Sequence, residues 1–64
     1  MEKAMKYEVQ LILQARRFFV MDFGKLEDAE QFYDASCKSR TTVEINLFEY
    51  NDKITHLLKE YKAS

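Results

Sequence analysis

The segment Met5-Lys6-Tyr7-Glu8-Val9-Gln10-Leu11-Ile12-Leu13 separates an α+β chain from an all-helical one. Its odd positions are all apolar and its even positions are polar except for Ile12, which is the period-two signature of a strand turning one face to a core. A helical reading competes for the same residues. Met5, Val9, Ile12, Arg16, Phe19 and Phe23 also fall at three-to-four spacing, and residues 2–14 contain good helix formers. The strand reading is preferred because Tyr7 and Leu11 lie off that helical stripe, and Phe18-Phe19-Val20, which would continue it, is poor helix material.

Downstream, Phe18-Phe19-Val20-Met21-Asp22-Phe23 is rich in side chains that suit a pleated sheet and predicts the second arm of a hairpin. A two-residue loop would set Leu13 opposite Phe18. A three-residue loop at Ala15-Arg16-Arg17 pairs Leu13 with Phe19, Leu11 with Met21 and Val9 with Phe23. The second register is preferred, because a one-residue slip sends the larger apolar set to the wrong face. Ile12, Phe18 and Val20 then share the opposite face.

Gly24, the single glycine, separates this hairpin from a helix predicted over residues 25–38. Leu26, Ala29, Phe32 or Tyr33, and Ser36 or Cys37 recur at helical spacing. Glu27, Asp28 and Glu30 sit early while Lys38 and Arg40 sit late, as the helix dipole favours. Thr41-Thr42-Val43-Glu44-Ile45-Asn46-Leu47 then returns to clean alternation. Asn51-Asp52 reads as a two-residue hairpin loop, since both residues tolerate positive φ. A closing strand would put Ile54, His56 and Leu58 on the face of Val43, Ile45 and Leu47, and would put Phe48, Tyr50, Leu57 and Tyr61 on the other. A C-terminal helix capped by Asp52, with Ile54, Leu57, Leu58 and Tyr61 as its stripe, fits the same residues. Local signals leave both readings open.

A strand pair, the short helix Leu26-Glu27-Asp28-Ala29-Glu30-Gln31-Phe32-Tyr33, then Val43-Glu44-Ile45-Asn46-Leu47-Phe48-Glu49-Tyr50-Asn51-Asp52 and a closing strand resembles small ββαββ accessory proteins of bacteriophages and other mobile elements. The resemblance covers nearly the whole chain and brings no catalytic or binding motif. It implies a strand for the last segment and an accessory or host-interacting role.

Composition narrows the function classes. Sixty-four residues make one domain near the lower limit of independent folding. A single cysteine, Cys37, and a single histidine, His56, supply neither an internal disulfide nor a four-ligand zinc site. That leaves self-association or partner binding as reinforcement. The lone thiol and the lack of a secretory signal suggest the cytoplasm, and no apolar run approaches the roughly 20 residues of a membrane span. Ten basic against eleven acidic residues give no field that would favour nucleic acid.

Cys37 and His56 are a conceivable nucleophile and base, yet no third orienting residue accompanies them, and both are read as structural. Glu27, Asp28, Glu30 and Asp34 lack the spacing and glycine of a calcium loop and read as a solvated helix face. Neither a glycine-rich phosphate loop nor any cofactor site is expected. Arg16 and Arg17 at the hairpin tip, beside Phe18 and Phe19, raise a nucleic-acid alternative, because guanidinium groups hold phosphate and aromatics stack on bases.

The expected architecture is therefore α+β: two antiparallel hairpins forming a four-stranded sheet, with one helix packed on one face. One short helix cannot cover both sides of such a sheet, and the sequence leaves open which face it takes. The expected function is a non-enzymatic protein-interaction module, a phage-like accessory or inhibitory protein. It would act as a homodimer, sheet against sheet, through Ile12, Phe18, Val20, Phe48, Tyr50, Leu57 and Tyr61. A larger host or viral protein is a second partner class. No membrane or small-molecule substrate is expected.

Overall fold

A computed structural model describes residues 5–63. The elements are β1 (Lys6–Leu13), a 3-10 turn at Gln14–Arg16, β2 (Arg17–Phe23), α1 (Leu26–Cys37), β3 (Thr42–Tyr50) and β4 (Thr55–Lys62). They form a four-stranded antiparallel sheet in the order β2-β1-β3-β4, with the helix packed on one face, which is the expected ββαββ arrangement. The helical alternative for residues 2–14 fails from Lys6 onward; its first residues, 2–4, lie outside the described residues. The C-terminal helix fails too, because residues 55–62 pair along β3.

The core lies between α1 and the two central strands. Val9 and Leu11 of β1, Ile45 and Leu47 of β3, and Ala29 and Tyr33 of α1 are buried together, with Tyr7, Leu13, Phe23, Phe32, Cys37 and Tyr61 packed around them. The alternation of β1 and β3 thus does what their sequences demand, since Val9 stands opposite Leu47 and Leu11 opposite Ile45. Each fully buried aliphatic side chain contributes roughly 1.5–3 kcal/mol from removal of its surface from water. Ala29, with only a methyl group, lets the helix backbone approach the sheet closely.

Glu27 and Asp28 occupy the first turn of α1, where the exposed N–H groups favour negative charge. At the other end the Lys38 N–H returns to the Ala35 carbonyl (3.2 Å). The Ser36 carbonyl accepts from the Ser39 N–H (3.1 Å) and from Thr42 Oγ1 (2.8 Å). The buried Thr42 hydroxyl therefore ties the helix end to the first residue of β3 and is itself satisfied.

Two hairpin registers differ from the sequence reading. In the first, Leu13 pairs with Arg17, Leu11 with Phe19, Val9 with Met21 and Tyr7 with Phe23. The loop is Gln14-Ala15-Arg16, two residues tighter in register than expected, and the face of every side chain is preserved. The tight turn is made by Ala15 and Arg16 in the left-handed region, at φ 67° and 60°, a conformation the sequence does not advertise because neither residue is Gly, Asn or Asp.

In the second hairpin the loop is four residues long, Asn51 to Ile54, rather than the two of Asn51-Asp52. Asn51 Oδ1 accepts from the N–H groups of Lys53 (2.8 Å) and Ile54 (3.0 Å), and the Asn51 N–H donates to the Ile54 carbonyl (3.0 Å). The asparagine side chain builds the turn. Ile54 consequently sits in the loop and not on the core face. Within β4 the register shifts between Leu47 and Phe48: Phe48 stands opposite Leu57, but Leu47 stands opposite Lys59, leaving Leu58 as the extra residue of a bulge. A second shift, at Ile12/Leu13, makes Thr42 the partner of Leu13 and leaves Val43 as an exposed extra residue, so neither Val43 nor Leu58 joins the core.

Candidate interaction surface

The helix covers the face of Val9, Leu11, Ile45 and Leu47, so the opposite face is open. Reading across the sheet from β2 to β4, one row of the open face holds Phe18, Ile12, Glu44 and Lys62. The next holds Val20, Gln10, Asn46 and Glu60, and a third holds Asp22, Glu8, Phe48 and Leu57. Tyr50 and Thr55 pair beyond them. The apolar side chains therefore occupy two opposite corners: Ile12, Phe18 and Val20 at one, Phe48, Tyr50 and Leu57 at the other.

A polar band separates the corners. Gln10 Nε2 donates to Glu8 Oε2 (2.7 Å) and Asn46 Nδ2 donates to Glu44 Oε2 (2.9 Å), each pair lying along its own central strand. These half-buried amide–carboxylate pairs hold two carboxylates near the middle of the open face. Tyr50 Oη donates to Asp22 Oδ1 (3.3 Å), linking β3 to β2 across β1. Partial desolvation, and then the Asp22 carboxylate, push the Tyr50 phenol above its ordinary value.

Of the seven residues assigned to partner contact by sequence, Ile12, Phe18, Val20, Phe48, Tyr50 and Leu57 lie on the open face, and Tyr61 does not. Tyr61 stands opposite Ile45 and packs against the core, because the bulge at Leu58 reverses the alternation of β4 beyond it. The same reversal brings Lys59 to the helix side, where its Nζ lies 3.5 Å from Glu30 Oε2 and 5.5 Å from the centre of the Tyr33 ring.

Strand β2 is the most exposed apolar segment. Phe18 (56%) and Val20 (46%) are exposed on the open face, and Phe19 and Met21 (44% each) on the helix face. The latter two pair with Leu11 and Val9 on the face that carries the helix, but the helix lies over β1 and β3 and reaches β2 at Phe23, whose ring is 5.7 Å from that of Phe32. A helix centred on the inner strands leaves the outer strand bare on both sides. The sequence signal for this is four consecutive apolar residues without alternation.

The two edges of the sheet are unlike. β4 carries a bulge and the charged Lys59, Glu60 and Lys62, features that discourage further strand pairing. β2 pairs with β1 in unbroken register and has no proline and no charge between Arg17 and Asp22. Arg16 and Arg17 are exposed at its start.

The other constellations stay dispersed. Cys37 is half-buried at the C-terminal end of α1, whereas His56 is exposed at the far end of the sheet, with Nδ1 3.8 Å from Glu49 Oε1. Glu27, Asp28 and Asp34 are solvated, and Glu30 serves Lys59. Among the described residues no group of three or more His, Cys, Asp or Glu is placed to hold a metal ion, and no helix is long and apolar enough to cross a membrane. No protein-family model, curated protein or solved structure matches the chain.

Proposed function

We propose that this protein is a non-enzymatic protein-interaction module that self-associates through the apolar side chains its helix leaves uncovered. The observation that carries this is β2: Phe18, Phe19, Val20 and Met21 are each at least 44% exposed, side by side, on an edge strand. Contiguous exposed apolar surface of this kind is the ordinary mark of an association site. The Phe48-Tyr50-Leu57 corner is the further surface on which a larger host or viral protein would dock. The sequence resemblance to small ββαββ accessory proteins, rather than the fold itself, supports an accessory or inhibitory role of the phage-like kind, and the single thiol supports a reducing cytoplasm as its setting.

Sedimentation velocity over a wide concentration series tests the reading. The expected species is twice the 7.7 kDa chain mass, and Phe18→Ser with Val20→Ser should shift it to monomer with unchanged far-ultraviolet circular dichroism. A monomer at every concentration overturns self-association. The alternative, a small nucleic-acid-binding regulator, draws on Arg16 and Arg17 standing exposed beside Phe18. The carboxylates of Glu8, Asp22 and Glu44 on the same face oppose it. Saturable filter binding of DNA or RNA that collapses with salt and with Arg16→Ala plus Arg17→Ala would favour that regulator.

A further inference from the structure

We infer that two copies join edge to edge, β2 against β2, in an antiparallel pair centred on Phe19, giving one continuous eight-stranded sheet. The inference rests on the self-association proposed above and specifies its geometry. A sheet-on-sheet dimer would have to bury the Glu8 carboxylate, whose cross-strand neighbours are Asp22 and Phe48, and a buried charge with no basic group opposite it is strongly disfavoured. The β2 edge imposes no such cost.

The occupant is a second copy because the strand complements itself. Antiparallel pairing about a two-fold axis perpendicular to the sheet keeps both helices on one side and sets each residue opposite one of the same face. Centred on Phe19, it places Phe19 beside its own mate, Phe18 beside Val20 of the second copy and Arg17 beside Met21 of the second copy, and brings the turn that carries Arg16 alongside Asp22 of the second copy. That approach occurs twice, setting the two arginines that precede the apolar run near the carboxylate that follows it. Ile12, Phe18 and Val20 of both copies then merge into one apolar strip on the open face. Because the other edge, β4, is bulged and charged, pairing stops at two and does not extend into a filament.

Cysteine cross-linking reads the register directly in a Cys37→Ala background. Directly opposed side chains have Cβ atoms about 4.5–5.5 Å apart, within reach of a disulfide, whereas diagonal neighbours at about 7–8 Å are not. Phe19→Cys should oxidise to a covalent dimer, while Val20→Cys and Leu57→Cys should stay as thiols. Arg16→Asp should weaken dimerisation on the order of tenfold, and adding Asp22→Arg should restore it. A dimer in which Phe19→Cys remains a thiol, or in which Leu57→Cys cross-links instead, overturns the edge pairing while leaving self-association intact. A chain that is monomeric throughout removes the underlying reading as well.

Discussion

At the scale of single residues, Tyr33 is buried against the sheet, with Cys37 beside it and the Lys59 ammonium over its ring. Burial first, then the neighbouring thiol, and more weakly Asp34 and Glu60, raise its phenol above the ordinary value of 10.0. The folded state therefore holds the Tyr33 proton more tightly than the unfolded chain does. Its contribution to stability is complete below pH 10 and is lost as pH rises through the raised value. Urea midpoints across the alkaline range should fall for the native chain and fall less for Tyr33→Phe; parallel curves would refute the assignment. Ala15, at φ 67°, makes the opposite kind of prediction. Ala15→Gly should raise stability by up to about 1 kcal/mol, since a Cβ is disfavoured there. A drop in the urea midpoint would show that the turn does not carry this strain. The residue scale was partly legible beforehand. Val9, Leu11, Ile45 and Leu47 announced themselves by alternation, whereas the turn conformation of Ala15 and Arg16 is imposed by strand pairing and leaves no mark in residue type.

At the scale of elements, the first hairpin, the helix and β3 follow from period, charge placement and the break at Gly24, whereas local signals leave β4 open between strand and helix. The bulges follow from none of these. A bulge adds one residue to one strand, and nothing in the local composition of Thr-His-Leu-Leu-Lys-Glu-Tyr-Lys fixes where that residue goes. Tyr61 was assigned to the wrong face for that reason alone: regular alternation from Leu57 would carry it outward, and the extra Leu58 turns it in. Deleting Leu58 should remove the bulge while keeping Lys59 and Tyr61 on the helix side, so the core contacts survive and the urea midpoint stays near the parent's. A midpoint that falls steeply would mean that Leu58 is not the dispensable extra residue of the bulge. The helix offers a second test, because Ala29 is fully buried against the sheet. Ala29→Leu should cost about 1–3 kcal/mol through overpacking, and an unchanged melting temperature would place the helix farther from β1 and β3 than the core packing indicates.

At the scale of the whole molecule, coverage is uneven. One helix of twelve residues seals the two inner strands and leaves the outer ones to their own devices. That one face must stay open was legible, because Phe18, Val20 and Phe48 fall out of phase with the odd-numbered set and one helix cannot cover both; which face the helix takes was not. The polar band of Glu8, Gln10, Glu44 and Asn46 was not legible either, because it exists only once β1 and β3 lie side by side and their even positions line up. Positioning the helix over the inner pair also grades how readily the backbone opens. Amides of β1 and β3, roofed by α1 and flanked on both sides, should exchange with deuterium only through global unfolding. Those of β4, and of β2 in the monomer, should exchange through cheaper local fraying. The sheet is thus a rigid spine with two loosely held margins, and any partner that grips a margin would be felt first as slowed exchange there.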